Sequence, residues 1–233
     1  MEKFENIKDR ALARKGGESG LKSCLPKVKS PRTVAALGND RVLAEMTRCV
    51  FQAGFVWRVV NAKWDDFERV FFAFKPEALV RLSPEQIEAI AKNPAIIRNM
   101  QKIKSVQLNA QFILDMSREH DSFGKFLKSW PKEDLVGLHR LLKRQGSRLG
   151  GATGPRSLRN LGVDTFLLSG DVVKCLQQAG LEIADNPTSQ RDLAQVQAAF
   201  NTWHQESGLS YSHMSRICSC SIGENYLPEQ LQY

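Results

Sequence analysis

No acidic side chain occurs between Asp134 and Asp164, in a chain that otherwise carries 25 Asp and Glu among 233 residues. That interval holds Arg140, Lys143, Arg144, Arg148, Arg156 and Arg159, a local charge of +6 against +8 for the whole chain. Basic charge concentrated in this way points to an anionic partner. Long apolar runs are missing too. The longest blocks, such as VFFAF at 70–74, fall far short of the ~18 residues a bilayer span needs, so no membrane partner is expected. The N-terminus, MEKFENIKDRALARKGG, alternates charges and has no apolar core of a signal peptide. Five cysteines (Cys24, Cys49, Cys175, Cys218, Cys220) form no even framework, so reduced thiols and a cytoplasmic location are expected. Period-2 alternation is absent, and no repeat of fixed length occurs.

What is present reads as helix. Asp40 can cap a helix with apolar positions Leu43, Met46, Val50 and Phe51 on one face. Ser83-Pro84-Glu85-Gln86 is a capping-box start, stopped near Pro94. Ile96, Met100, Ile103, Ala110 and Ile113 predict a long helix from Ala95 to about Glu119. Leu135, Leu138, Leu141 and Leu142 mark another, and Ser189 opens one carrying Leu193, Val196, Phe200 and Trp203. The predicted class is all-α. Residues 1–37 read as an N-terminal helix and a loop-rich segment (15–39 connecting it to the body), 38–222 as one helical body, and 223–233 as a tail.

The glycine-rich stretch GSRLGGATGPRSLRN (146–160) falls inside the acid-free interval, between one helix and the next. Glycines admit positive φ and let a ligand approach the main chain closely. The N–H groups opening the following helix attract an anion, and flanking arginines add charge-assisted contacts. A nucleotide P-loop would need Gly-Lys-Ser/Thr, and Gly154 is followed by Pro155-Arg156, so that reading fails. Two readings stand: a clamp on a phosphate backbone, or a tight turn whose arginines are simply solvated. Downstream, Asp171 occupies an apparent N-cap position before Val172, Val173 and Leu176, a role worth about 1 kcal/mol.

Three runs carry a resemblance: EMTRCVFQAGFVWRVVNAKWDDFERVFFAF (45–74), AIIRNMQKIKSVQLNAQFIL (95–114) and LLKRQGSRLGGATGPRSLRNLG (141–162). Over roughly residues 38–180 the chain resembles the 3-methyladenine DNA glycosylase I family of the helix–hairpin–helix DNA glycosylase superfamily. The resemblance implies a two-lobed helical fold with a cleft. It also implies a monofunctional hydrolase that flips an alkylated purine out of double-stranded DNA and cuts its N-glycosidic bond, without a cofactor. It makes Trp57 the stacking wall of a base pocket, with Cys49, Gln52 and Phe51 around it. The hairpin 146–154 becomes a backbone-binding element through Gly146, Arg148, Gly150, Gly151, Thr153 and Arg156, and Asp171 the catalytic aspartate, with Asp164 as runner-up. Trp64, Trp130 and Trp203 read as core.

The chain departs from the family pattern at Cys49, where a base-pocket glutamate is expected eight residues before the tryptophan. Glu45, one helical turn earlier, can replace it only by facing the pocket. The family's zinc partners are missing, and Cys218-Ser219-Cys220 with His213 makes no complete ligand set, so no metal is expected. His120, His139 and His204 read as surface or helix-face residues. No lysine lies between the hairpin and Asp171, so no lyase step is expected. The alternatives to a monomeric glycosylase are a non-catalytic DNA-binding protein on the same scaffold and a structural helical protein with a solvated basic turn.

Overall fold

The structure is a computed structural model and describes residues 1–225, so the predicted tail lies outside the described residues from 226 onward. In chain order the helices are α1 (Phe4–Lys15), α2 (Glu18–Cys24), α3 (Pro31–Ala35), α4 (Asn39–Gln52), α5 (Trp57–Ala62), α6 (Trp64–Val70), α7 (Pro76–Leu79) and α8 (Pro84–Lys92). They continue as α9 (Met100–His120), α10 (Phe123–Ser129), α11 (Leu135–Gln145), α12 (Thr153–Asn160), α13 (Gly170–Gln178), α14 (Gln190–Ser207) and α15 (Tyr211–Ser221). No strand occurs among the described residues, and the class is all-α as predicted.

The chain groups into two compact units. A central unit comprises Lys29–Trp130 and Leu138–Val163; a terminal unit comprises Met1–Val28, Pro131–Gly137 and the chain from Asp164 onward. In the terminal unit Trp203 is fully buried between Phe4 and Phe200, with ring centroids 5.5 and 5.6 Å away. Its indole N–H donates to the Glu2 carbonyl at 3.1 Å, and the Glu2 N–H donates to the Ala179 carbonyl at 2.8 Å. The N-terminal helix is therefore stapled to its unit by both apolar burial and main-chain bonds.

The central unit is built around α4 and α9. One face of α4 buries Val42, Leu43, Met46, Val50 and Phe51, the period-3.6 pattern read from sequence. Phe51 meets Phe67 edge-on at 4.7 Å, and Phe67, Phe71, Phe74 and Trp64 form a continuous stacked group. That stack holds Phe72–Phe74 in a left-handed turn, with φ of 54°, 52° and 56°. Non-glycine residues enter this region only at a cost of about 1–2 kcal/mol each. Full burial of Phe74 and the Arg41 guanidinium on the Ala73 carbonyl (2.9 Å) offset it.

Several predicted boundaries move. The capping box at Ser83 forms with both of its bonds. Asp40 does not cap α4: Gly38 is the N-cap, and the Asp40 carboxylate turns sideways to the Arg41 guanidinium at 3.0 Å. The long helix begins at Met100 and not at Ala95, because the Asn99 side chain accepts from the Lys102 N–H and starts the ladder there. Residues 15–39 are less loop-rich than expected, since α2 and α3 lie within them; α3 is opened by the Ser30 cap and Pro31 at its first turn. Trp203 is core, as read, and Trp64 and Trp130 are partly buried against the core.

His139 is more constrained than a helix-face residue. Burial and, secondarily, the Arg159 charge push its imidazole down to about 3, so it is neutral in the folded state. In the unfolded chain it takes a proton near its ordinary 6.5. The unfolded state therefore binds more protons below that pH. Stability is full above 6.5 and is lost as pH falls toward 3. His139→Gln should lose less stability than wild type when the urea midpoint is compared at pH 7.5 and 5.5; equal losses would contradict this.

Candidate functional site

The turn between α11 and α12 is shaped by exclusion. Leu149 is fully buried, and a Cβ on Gly154 would come within 2.5 Å of the Leu149 carbonyl oxygen. Only glycine lets α12 start that close to the turn. Gly151 has φ +58°, and Arg148 itself sits in the left-handed region at φ 62°. Asn109, fully buried on α9, fixes the turn from outside. Its Oδ1 accepts from the Ser147 N–H at 2.7 Å, and its Nδ2 donates to the Ser147 carbonyl at 3.0 Å. Arg148 reaches Gln101 Oε1 at 3.0 Å, leaving its side chain along the surface.

Gly146, Arg148, Gly150, Gly151, Thr153 and Arg156 are thus brought into one turn and the first helical turn after it. Gly146 serves packing, since its N–H donates to Leu142 O at 2.9 Å and a Cβ there would strike Leu149. The charge comes from Arg148 and Arg156.

Arg156 and Asn160, four residues apart, share one face of α12. That face looks onto α4 and α5. The Arg156 guanidinium carbon lies 4.8 Å from the ring centroid of half-buried Trp57. Asn160 Nδ2 donates to Glu45 Oε1 at 2.7 Å and lies 3.6 Å from Cys49 Sγ. Glu45, Cys49 and Gln52 follow one stripe of α4. The Cys49 thiol donates to Glu45 Oε1 at 3.5 Å, and Arg48 Nε is 3.8 Å from Glu45 Oε2. Gln52, 5% exposed, donates to Asn61 Oδ1 on α5 at 3.1 Å. The group combines an aromatic face, a part-buried carboxylate, an amide and two guanidinium groups.

Burial, together with the negative charge of Glu45, pushes the Cys49 thiol far above its ordinary range. It is therefore a protonated donor and only a weak acceptor, taking the Asn160 amide at 3.6 Å, and does not replace a carboxylate. Phe51 is fully buried against Phe67, so its ring belongs to the core and offers no wall to a ligand. Behind it, Lys102 Nζ donates to the Phe51 and Ala53 carbonyls at 3.1 and 2.8 Å, closing the C-terminal end of α4. Its ammonium is held below its ordinary range, first by burial and then by the Arg148 charge.

Asp171 belongs to the terminal unit. It is not the N-cap: the Ser169 hydroxyl accepts from the Val172 N–H at 3.4 Å, and Asp171 is the second residue of α13. Its half-buried carboxylate lies against Gly223, where a Cβ would be 2.6 Å from Oδ1. Asp164 is committed elsewhere in the same unit, its Oδ1 accepting from the Ser212 N–H at the start of α15 (2.8 Å). Among the described residues no group of three or more His, Cys, Asp or Glu could hold a metal. His213 Nε2 instead faces the Pro26 carbonyl at 3.0 Å, and all five cysteines are free and buried. No helix of the described residues is long and apolar enough to cross a membrane.

Asn160, Asn109 and Lys102 escaped sequence reasoning. Asn160 had one legible signal: its i+4 spacing from Arg156 on a helix already suspected of binding. Asn109 and Lys102 had none, because their partners are main-chain atoms 38 and about 50 residues away.

The fold and this group define a helical protein with an aromatic, acid-flanked site beside a basic glycine turn. Residues 34–144 match the model of the methyladenine glycosylase family. The segment contains Glu45, Cys49, Gln52 and Trp57; the turn, α12 and Asp171 follow it. The chain is 28% identical over 79 residues to the DNA-3-methyladenine glycosylase of Haemophilus influenzae, covering 34% of this chain and 43% of that protein. It is 29% identical over 79 residues to DNA-3-methyladenine glycosylase 1 of Escherichia coli, covering 34% and 42%. The chain thus spans less than half the length of these curated relatives. A crystal structure of 3-methyladenine DNA glycosylase I aligns over 60% of this chain and 84% of its own, at 20% identity and a TM-score of 0.48.

The buried, protonated Cys49 thiol should resist alkylation. Peptide mass spectrometry after iodoacetamide at pH 8 should find Cys49 unmodified in the folded protein and modified after denaturation. Labelling of Cys49 in the folded protein at the rate of an exposed thiol would contradict its placement.

Proposed function

We propose that the chain is a DNA glycosylase of base-excision repair that flips an alkylated purine of the 3-methyladenine type from duplex DNA and hydrolyses its N-glycosidic bond. The observation carrying this reading is that Trp57 lies in the segment matching the family model and meets Arg156, on the first turn of the helix that follows the basic turn. A half-buried π-face and a part-buried carboxylate, met by Arg156 and Asn160 of one helix face, suit a flipped purine, and stacking offsets part of the few kcal/mol that flipping costs. Arg148 and Arg156, with the N–H groups opening α12, suit the phosphates of the flanking strand.

In the reaction the bond from the base nitrogen to the sugar C1′ breaks and a water oxygen joins C1′, with its proton passing to solvent or base. Positive charge develops on the sugar, and Asp171 is the carboxylate assigned to stabilise it or to orient the water. Nothing in this scheme calls on a metal or cofactor, and the reading includes a monomer acting on double-stranded DNA in the cytoplasm. A non-catalytic DNA binder is the second reading, favoured by one observation: Cys49 is a neutral donor where a base-reading acid is expected.

Release of free methylated purine from dimethyl sulfate-treated duplex decides between them. Wild type should release base, Asp171→Asn about a hundredfold more slowly, with duplex affinity unchanged. If neither releases base while both bind the duplex, the glycosylase reading fails and the binder reading stands.

A further inference from the structure

We propose that Glu45 is the group that selects a positively charged purine, and that Asn160 is a positioning residue holding it at the base site; the inference rests on the glycosylase reading above. Position 49 carries no carboxylate. Its buried thiol keeps its proton and points it at Glu45 Oε1, 3.5 Å away. Cys49 therefore transfers the acceptor role one helical turn back along α4, to a carboxylate whose side chain is 18% exposed.

That carboxylate is held in place and still has free valence. Oε1 takes the Cys49 thiol and the Asn160 amide, the latter at 2.7 Å, while Oε2 has Arg48 Nε only at 3.8 Å. A carboxylate has about four lone-pair sites, so Oε2 can accept an N–H of a purine edge. The neighbouring aromatic face reports the charge preference independently. Trp57 carries the Arg156 guanidinium at 4.8 Å, as ring quadrupoles do for cations. A purine made cationic by ring alkylation presents the same charge to that face and N–H donors to the carboxylate. It would take the place of Arg156, whose guanidinium is then available to a phosphate.

Asn160 enters because it comes from α12. Through it, the helix that follows the basic turn sets the position of the acid on α4, so the phosphate-binding element and the base-reading group are mechanically one assembly. A merely structural Glu45–Asn160 bond would pin the two helices and nothing more. The two roles differ in what a substitution changes.

The test uses the full chain and single-turnover release of N3-methyladenine and N7-methylguanine, both cationic as nucleosides, from methylated duplex. Melting temperature and affinity for a duplex carrying a tetrahydrofuran abasic analogue are measured alongside. Glu45→Gln should slow release about a hundredfold while leaving abasic-duplex affinity within about twofold. Asn160→Ala, at an exposed position and safe for folding, should slow release about tenfold with the same unchanged affinity. Release by Glu45→Gln or Asn160→Ala at the wild-type rate would overturn the inference while the glycosylase reading stands. A parallel fall in melting temperature, abasic-duplex affinity and release would assign the pair a structural role and also overturn it. Absence of release by wild type would instead remove the glycosylase reading and this inference with it.

Discussion

Asn109 is buried in the middle of α9, and its amide satisfies both main-chain groups of Ser147 at once. Removing either bond would leave a part-buried peptide group unpaired, at a cost of about 1–3 kcal/mol. The consequence reaches beyond stability. Ser147 begins the turn, the turn aims α12, and α12 carries both Arg156 and Asn160 toward α4 and α5. The close approach of Gly154 to Leu149 completes the constraint, because any side chain there would push α12 off its axis. The site on the central unit depends on these packing facts before any charge is considered.

The electrostatics then divide the work. The acid-free interval supplies six basic side chains, of which Arg148 lies at the turn and Arg156 in the first turn of α12. A single carboxylate, Glu45, is set among them and tied down by two donors, Cys49 and Asn160, with Arg48 Nε 3.8 Å away. Such an arrangement concentrates positive charge around the turn while leaving Glu45 Oε2 as an acceptor. Burial lowers the Lys102 ammonium and repulsion from Arg148 adds to it, while its N–H groups are committed to the C-terminal carbonyls of α4.

Much of the helical framework could be read from the chain because its signals are local. The Ser83 capping box, the Ser189 cap and the apolar stripe of α4 each involve residues within about two turns, and each appears as expected. The misplacements have local causes that propensity does not weigh. Arg41 competes for the Asp40 carboxylate, Ser169 is a better-placed cap than Asp171, and Asn99 starts α9 after a proline-bounded segment. The candidate group is legible as residue types, Trp57, Cys49 and the arginines among them. Its wiring is not. Glu45 and Asn160 are 115 residues apart, and Phe51 differs from Gln52 only in which face of α4 it occupies. Nor does the chain order reveal that residues 1–28 pack with the chain beyond Asp164, a grouping that depends on contacts such as Phe4 with Trp203.

The proposed function requires that the turn at 146–154 and the first turn of α12 grip a DNA backbone. Equilibrium affinity for a duplex with an abasic analogue, measured across salt concentrations for wild type and for Arg148→Gln with Arg156→Gln, tests it. Each phosphate contact contributes about 0.9 to the slope of log affinity against log salt. The double variant should bind more weakly with a slope reduced by about 2. An unchanged slope would mean that these arginines are solvated and that the turn only connects two helices.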